Sequence, residues 1–154
     1  MIRHLLVPTD GSELSSQAAR AAVDLAATTG ARITFFHAVP TPTVFHYLQE
    51  ASAEIDTNPS LMSREEIRQR MEKDAAEHLE TLRGMAAERN VRSDATTEVS
   101  EHPHRAILEA AERHCCDLIL MASHGRQGLG ALLLGSETQK VLTHGHLPVL
   151  VWRG

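Results

Sequence analysis

Aromatic side chains are scarce in this chain, at 3% of 154 residues, and there are only two cysteines. A core with so few aromatics has to be filled by Val, Ile, Leu and Ala, which favours an α/β layer architecture. Cys115 and Cys116 are sequence neighbours and poor partners for each other, so no disulfide framework is expected. They read instead as small buried hydrophobes leading into a strand. A zinc site combining them with His114 lacks a second ligand pair at the usual spacing. A basic surplus is missing too: the net charge is -5, with Lys and Arg scattered among acids, which argues against nucleic acid and anionic lipid as partners. No apolar run approaches the ~20 residues of a membrane span, and MIRHLLVPTDG reaches a turn too early for a signal segment. The expectation is a cytoplasmic protein with no membrane partner.

What is present is an alternation of strand-like and helix-like segments over one expected domain, residues 1–154. IRHLLVPTD reads as a strand closed by Pro8 and the turn pair Asp10-Gly11. The next segment has helical spacing, with Ser12 as N-cap and Gly30 as the stop. ARITFFHAV is a near-continuous apolar strand. Residues 40–62 carry three prolines in mixed polarity and read as a mobile insertion, with a short helix around TVFHYLQEASAEI. Ser63 and Glu66 form a capping box for a long helix with a stripe at 67, 71, 75, 79, 82 and 86. A strand around Ala95 to Val99, the helix HRAILEAAERH, the strand CDLILMAS, the helix SETQKVLTH and the strand PVLVWR complete the pattern. Such alternation means βαβ units and a doubly wound parallel sheet with helices on both faces. Ligands bind such sheets outside the carboxyl ends of the strands, where the strand order reverses.

The richest chemistry leaves the fourth strand, in LILMASHGRQGLGALLLGSETQKVL, with glycines at 125, 128, 130 and 135. Glycine serves where φ is positive or where something must come close to the backbone. A P-loop is ruled out, because Gly130 to Gly135 has the glycine spacing but Ser136 and Glu137 follow where Lys is required. The dinucleotide fingerprint fails as well, since Gly128-Leu-Gly130 meets Leu133 in place of the third glycine. What remains is Ser136-Glu-Thr-Gln139, which reads as a capping box on a helix whose first N–H groups attract an anion. The plainer alternative is a cap and a loop with no ligand.

Ala122-Ser-His124-Gly125, nine residues, then Gly135-Ser136 closely resembles the nucleotide-binding signature of universal stress proteins, G-x-x-G followed after nine residues by G-[ST]. LLVPTDGS, HAV, AILEAAE, DLILMASHGR, LLLGS and PVLV extend the resemblance over nearly the whole chain. The resemblance implies a five-stranded sheet in the order 3-2-1-4-5 and an ATP site between strands 1 and 4. It implies that Asp10 holds the ribose, that the Ala38 backbone faces adenine, and that Pro8 and Thr9 line the pocket. Ala122, His124, Gly125, Gly135 and Ser136 would surround the phosphates. Arg126 is within reach of a phosphate by position, although an Arg on a surface loop is commonplace. Two departures bear on affinity. Ala122 stands where the signature has glycine, and Glu137 stands where the family commonly has a small apolar residue. The implied function is a homodimeric module, joined through strand 148–153, that binds ATP with a divalent cation such as Mg in a stress-response or regulatory role. Hydrolysis, if any, should be slow, as neither a phosphate-clamping Lys nor a water-positioning residue is identifiable. The rival is a nucleotide-independent homodimeric interaction protein of the same fold. His102 and His104, expected near the carboxyl end of strand 3, are too few for a metal site by themselves. Ser123 and His124 adjoin, which does not make a catalytic pair.

Overall fold

The computed structural model describes residues 1–41, 63–124 and 134–154. Its elements run β1 (His4–Pro8), α1 (Glu13–Thr29), β2 (Arg32–Val39), α2 (Arg64–Glu88), β3 (Ser93–Val99), α3 (Pro103–Arg113), β4 (Leu118–Ala122), α4 (Ser136–His144) and β5 (Val149–Trp152). The five strands form one parallel sheet in the order β3-β2-β1-β4-β5, as the family resemblance implies.

The strands are apolar on both sides because both faces of the sheet are covered. Leu5, Val7, Ile33, Phe35, Leu118 and Leu120 point towards α1 and α2 and pack with Ala18, Ala22, Leu79 and Leu82. Their chain neighbours Leu6, Phe36, Ile119 and Met121 point the other way, onto Ala106, Ile107 and Ala110 of α3 and Val141 of α4. Successive residues of a strand face opposite sides, so a strand sandwiched between two helix layers has no polar side to show.

The helix ends follow their local chemistry in the first half of the chain. Ser12 caps α1 by accepting from Ser15 N, and Gly30 ends it at φ 73 with its N–H on Ala26 O. Ser63 and Glu66 form the expected reciprocal capping box on α2. The expected stripe is buried at Ile67, Ala75, Leu79, Leu82 and Ala86, with Met71 half-buried. β3 begins two residues before its expected start, because Ser93 and Asp94 pair in register with Ile33 and Thr34. Propensity favours neither residue in a strand, and the ladder overrides it.

Two expectations are corrected. Ser136 does not cap α4: Gly135 is the N-cap residue, Ser136 is the first helical residue, and no side chain caps this helix. The capping box needs Ser136 in extended conformation, whereas the extended residue is Gly135, at φ -61 and ψ 152. Cys116 is buried as expected and burial pushes its thiol up to about 12, but Cys115 is exposed. Cys115 takes φ 52 in the turn that leaves α3, which swings its side chain outward. Of the insertion expected at residues 40–62, residues 42–62, where a short helix is expected, lie outside the described residues. Among the described residues, no helix is long and apolar enough to cross a membrane.

Candidate functional site

β1 and β4 are central neighbours, and the chain leaves them towards different helices, so their carboxyl ends border the crevice at the switch point. From β1 come Pro8, Thr9 and Asp10. The ladder continues past the strand, with Thr9 N donating to Phe36 O at 2.8 Å. Asp10 Oδ1 accepts from Ser12 N at 3.0 Å, a local turn that holds the carboxylate at the mouth of the strand. Gly11 follows at φ 77, a left-handed conformation that lets the chain reverse into α1. The Thr9 side chain points inward, its hydroxyl bonded to Ser15 Oγ at 2.9 Å and His78 Nε2 at 3.0 Å. Ala38 lies half-buried near the carboxyl end of β2.

The opposite wall comes from β4 and α4. Ala122 is the last residue of β4 and is buried. Among the described residues, positive φ outside glycine occurs only at Asn90 and Cys115, so alanine at 122 is under no backbone strain. Ser123 N donates to Trp152 O at 2.7 Å, and Ser123 Oγ lies 3.1 Å from His124 Nδ1. The chain returns at Gly135, whose N–H donates to Ser123 O at 2.7 Å. A Cβ on Gly135 would meet His124 Cα at 3.0 Å, so glycine is favoured here by the close approach of two backbone segments and not by φ. Thr138 Oγ1 donates to Ala122 O at 3.0 Å and ties the first turn of α4 to the end of β4. Ser136, Glu137 and Thr138 thus present the first N–H groups of a helix without a side-chain cap. Gly125 and Arg126 lie outside the described residues.

Glu137 turns away from the helix axis towards α3. Its Oε2 accepts from His104 N at 2.8 Å and lies 3.0 Å from His104 Nδ1, while Oε1 accepts from Lys140 Nζ at 2.7 Å. Burial pulls this carboxyl up, but Lys140 and the His104 backbone and ring outweigh it and hold it below the ordinary carboxylate range. The carboxylate thus stays ionised and its charge is paired with Lys140. His104 is also near His102 and His144, with ring centroids 6.2 and 6.0 Å away. Among the described residues, no group of three or more His, Cys, Asp or Glu could hold a metal ion.

The structure therefore brings Pro8, Thr9, Asp10, Ala122, His124, Gly135, Ser136 and Glu137 to the carboxyl ends of two adjacent strands and to α4, with Ala38 on β2 beside them. Sequence reasoning missed His78 and Thr138, and it noted His104 only beside His102 as a metal candidate, not as the partner of Glu137. The His78 and His104 contacts join residues 69 and 33 positions apart, and no local pattern encodes such pairings.

A doubly wound α/β protein whose strand order reverses between β1 and β4 is the class that the fold defines. The chain belongs to the universal stress protein family, whose model matches residues 1–153. A universal stress protein of Thermus aquaticus is 34% identical over 99% of this chain and 100% of its own length. The solved structure of protein MJ0577, of Methanocaldococcus jannaschii, has a TM-score of 0.79 at 23% identity, covering 99% of this chain and 96% of that one. A universal stress protein solved in complex with cAMP has a TM-score of 0.68 at 18% identity, over 97% of this chain and 96% of its own. One from Archaeoglobus fulgidus in complex with dAMP has a TM-score of 0.64 at 15% identity, over 99% and 98%.

Proposed function

We propose that this protein is a cytoplasmic, homodimeric regulatory module that binds an adenine nucleotide, ATP with a divalent cation such as Mg, at the β1/β4 crevice and hydrolyses it slowly or not at all. One observation carries the reading: α4 starts without a side-chain cap at the carboxyl end of β4, the strand paired with β1, and Asp10 lies just beyond the carboxyl end of β1. Open N–H groups at a helix start attract phosphate, and a carboxylate suits ribose hydroxyls. In this reading Asp10 holds the ribose, Ala38 faces the base, and Pro8 and Thr9 supply backbone to the pocket wall. Ala122, His124, Gly125, Gly135 and Ser136 surround the phosphates, with Arg126 within reach. Glu137 contributes its backbone N–H, its carboxylate being held by His104 and Lys140. The complexes of two family members with cAMP and dAMP support an adenine ligand.

The dimer reading rests on β5, an edge strand that exposes Leu150 at 40%, next to α4 with Leu142 at 42%. An edge strand with apolar side chains is a template for pairing with another chain. Val149 and Trp152 pack against the two core clusters, which leaves Leu150 as the residue to alter. Sedimentation at micromolar concentration should show a dimer that Leu150→Lys dissociates, and a monomeric wild type would remove this element.

Calorimetry with ATP, ADP and AMP tests the ligand. Loss of a charge-assisted hydrogen bond costs about 1.5–3 kcal/mol, so Asp10→Ala should weaken binding roughly tenfold to a hundredfold. If the wild type gives no heat with any of the three at millimolar concentration, the nucleotide-independent interaction protein becomes the better reading.

A further inference from the structure

The turn that carries Asp10 is gripped from outside by a residue far away in the chain. Thr9 is 6% exposed, and its hydroxyl has three partners: Ser15 Oγ at 2.9 Å, His78 Nε2 at 3.0 Å and Gly11 N at 3.2 Å. A hydroxyl offers one proton and two lone pairs, so three partners saturate it. The Gly11 N–H takes one lone pair; Ser15 Oγ gives its own proton to Ser12 O, so the Thr9 hydroxyl donates to Ser15 Oγ and accepts from His78 Nε2 with its other lone pair. The chain of contacts continues on either side. Ser15 Oγ donates to Ser12 O at 2.9 Å, and Ser12 N donates to Asp10 Oδ1 at 3.0 Å. Every side chain from Thr9 to Ser15 that shapes the turn is therefore linked, through Thr9, to His78 on α2.

α2 is a firm anchor for this contact. Leu79, next to His78, is 2% exposed in the core shared with α1, and Leu82 lies in the same cluster one turn on. A buried hydroxyl that loses one of three partners is left with an unmet hydrogen-bonding group and reorients towards whatever partner remains. Here that reorientation would slacken the hold on Gly11 N–H, the amide adjoining Asp10.

We propose that His78 is a positioning residue of the crevice, holding the β1–α1 turn and the Asp10 carboxylate in place through the Thr9 hydroxyl. The inference rests on the nucleotide-binding reading for its consequence on affinity, and on the protein alone for its consequence on the turn. The experiment uses the full chain with His78→Phe, which keeps bulk and lacks a ring nitrogen, and His78→Gln, which returns a nitrogen at similar reach. Thr9→Val and the Thr9→Val/His78→Phe double variant close the cycle. Amide hydrogen exchange at Gly11 and Ser12 is read without ligand, and affinity for AMP by calorimetry. His78→Phe should speed exchange at both amides about tenfold and weaken AMP binding about fivefold to tenfold, the loss of roughly one hydrogen bond. His78→Gln should restore both to within about twofold, and His78→Phe should add nothing once the Thr9 hydroxyl is gone. Should His78→Phe fail to fold, Thr9→Val carries the same exchange test from the hydroxyl side. Unchanged exchange at Gly11 and Ser12, absence of rescue by Gln, or an undiminished effect in the Thr9→Val background would overturn the proposal. If the wild type binds no adenine nucleotide, the proposed function fails while the exchange measurements still decide the role of His78.

Discussion

The two walls of the crevice are built by different means. The β1–α1 wall is mostly local: Asp10 to Ser12 N, Thr9 to Gly11 N and Ser12 to Ser15 N all span three residues or fewer. The β4–α4 wall is assembled from a distance. Gly135 N reaches back to Ser123 O, Thr138 reaches Ala122 O sixteen residues away, and Glu137 reaches His104 across thirty-three. Short-range bonds form as soon as the turn does, with little loop-closure entropy to overcome. Long-range bonds form only once α3, β4 and α4 have packed. The local wall should therefore tolerate single losses better, and the assembled wall should respond to any change in the spacing between its segments.

The substitution expected to do most damage is Gly135→Val. Its Cβ would sit 3.0 Å from His124 Cα and 3.4 Å from Ser123 O, and both are backbone-bound positions that cannot swing away. Overpacking of this kind costs about 1–3 kcal/mol, so thermal unfolding should fall by several degrees and nucleotide binding should weaken with it. A Gly135→Val protein as stable as the wild type would mean that the junction is looser than its geometry. Because this change alters the wall itself, loss of ligand in Gly135→Val does not separate a blocked phosphate site from a displaced one. Asp10→Ala makes that separation better.

On the local wall, Ser12→Ala removes the N-cap of α1 and should cost about 1 kcal/mol, or roughly 2–4 °C in Tm for a chain of this size. Equal losses from Ser12→Ala and Gly135→Val would erase the contrast between the walls. Thr138→Val keeps shape and removes the buried hydroxyl that donates to Ala122 O. It should cost about 0.5–1.5 kcal/mol, measured by denaturant midpoint, and in nucleotide titrations it should affect the β4 side more than Ser12→Ala does.

Glu137→Gln should have the smallest effect, about 0.2–1 kcal/mol at neutral pH, since half-exposed ion pairs contribute little. Its signature is the pH dependence. The folded carboxyl lies below its ordinary value of 4.5, so the fold favours the ionised form. That stabilisation is complete above the ordinary value and is lost as pH falls through the lower, folded value. Tm curves of wild type and Glu137→Gln should be parallel from pH 7 to about 5 and converge below about 4.5. A constant gap down to pH 3 would show that the charge of Glu137 contributes nothing to the α3–α4 contact.

Local chemistry was readable wherever the partners are neighbours in sequence. Ser12, Gly30 and the Ser63–Glu66 box all act at the helix ends where their spacing puts them. The same reasoning misplaced the start of α4, because Ser136 has the sequence of a cap while its backbone is already helical. There the backbone bond from Gly135 to Ser123 sets where the helix begins, and that bond joins segments separated by the glycine-rich stretch. Asp10 was visible as a turn residue, while the grip of His78 on the neighbouring hydroxyl was not, since α2 faces the turn only after it has packed on α1 and the sheet.

By itself the sequence determined the alternation of strands and helices, the apolar character of strands covered on both faces, the capped ends of α1 and α2, and the family. All but the family follow from period, composition or spacing within a few residues, and the family from a resemblance that runs over nearly the whole chain; tertiary packing had only to accept them. The tertiary structure alone decided that Glu137 points to His104, that Gly135 sits at a close approach of two backbone segments instead of at a positive φ, and that Thr9 answers to His78. These depend on which surfaces meet when α2, α3 and α4 settle on the sheet, a matter of three-dimensional packing that no short window of residues contains.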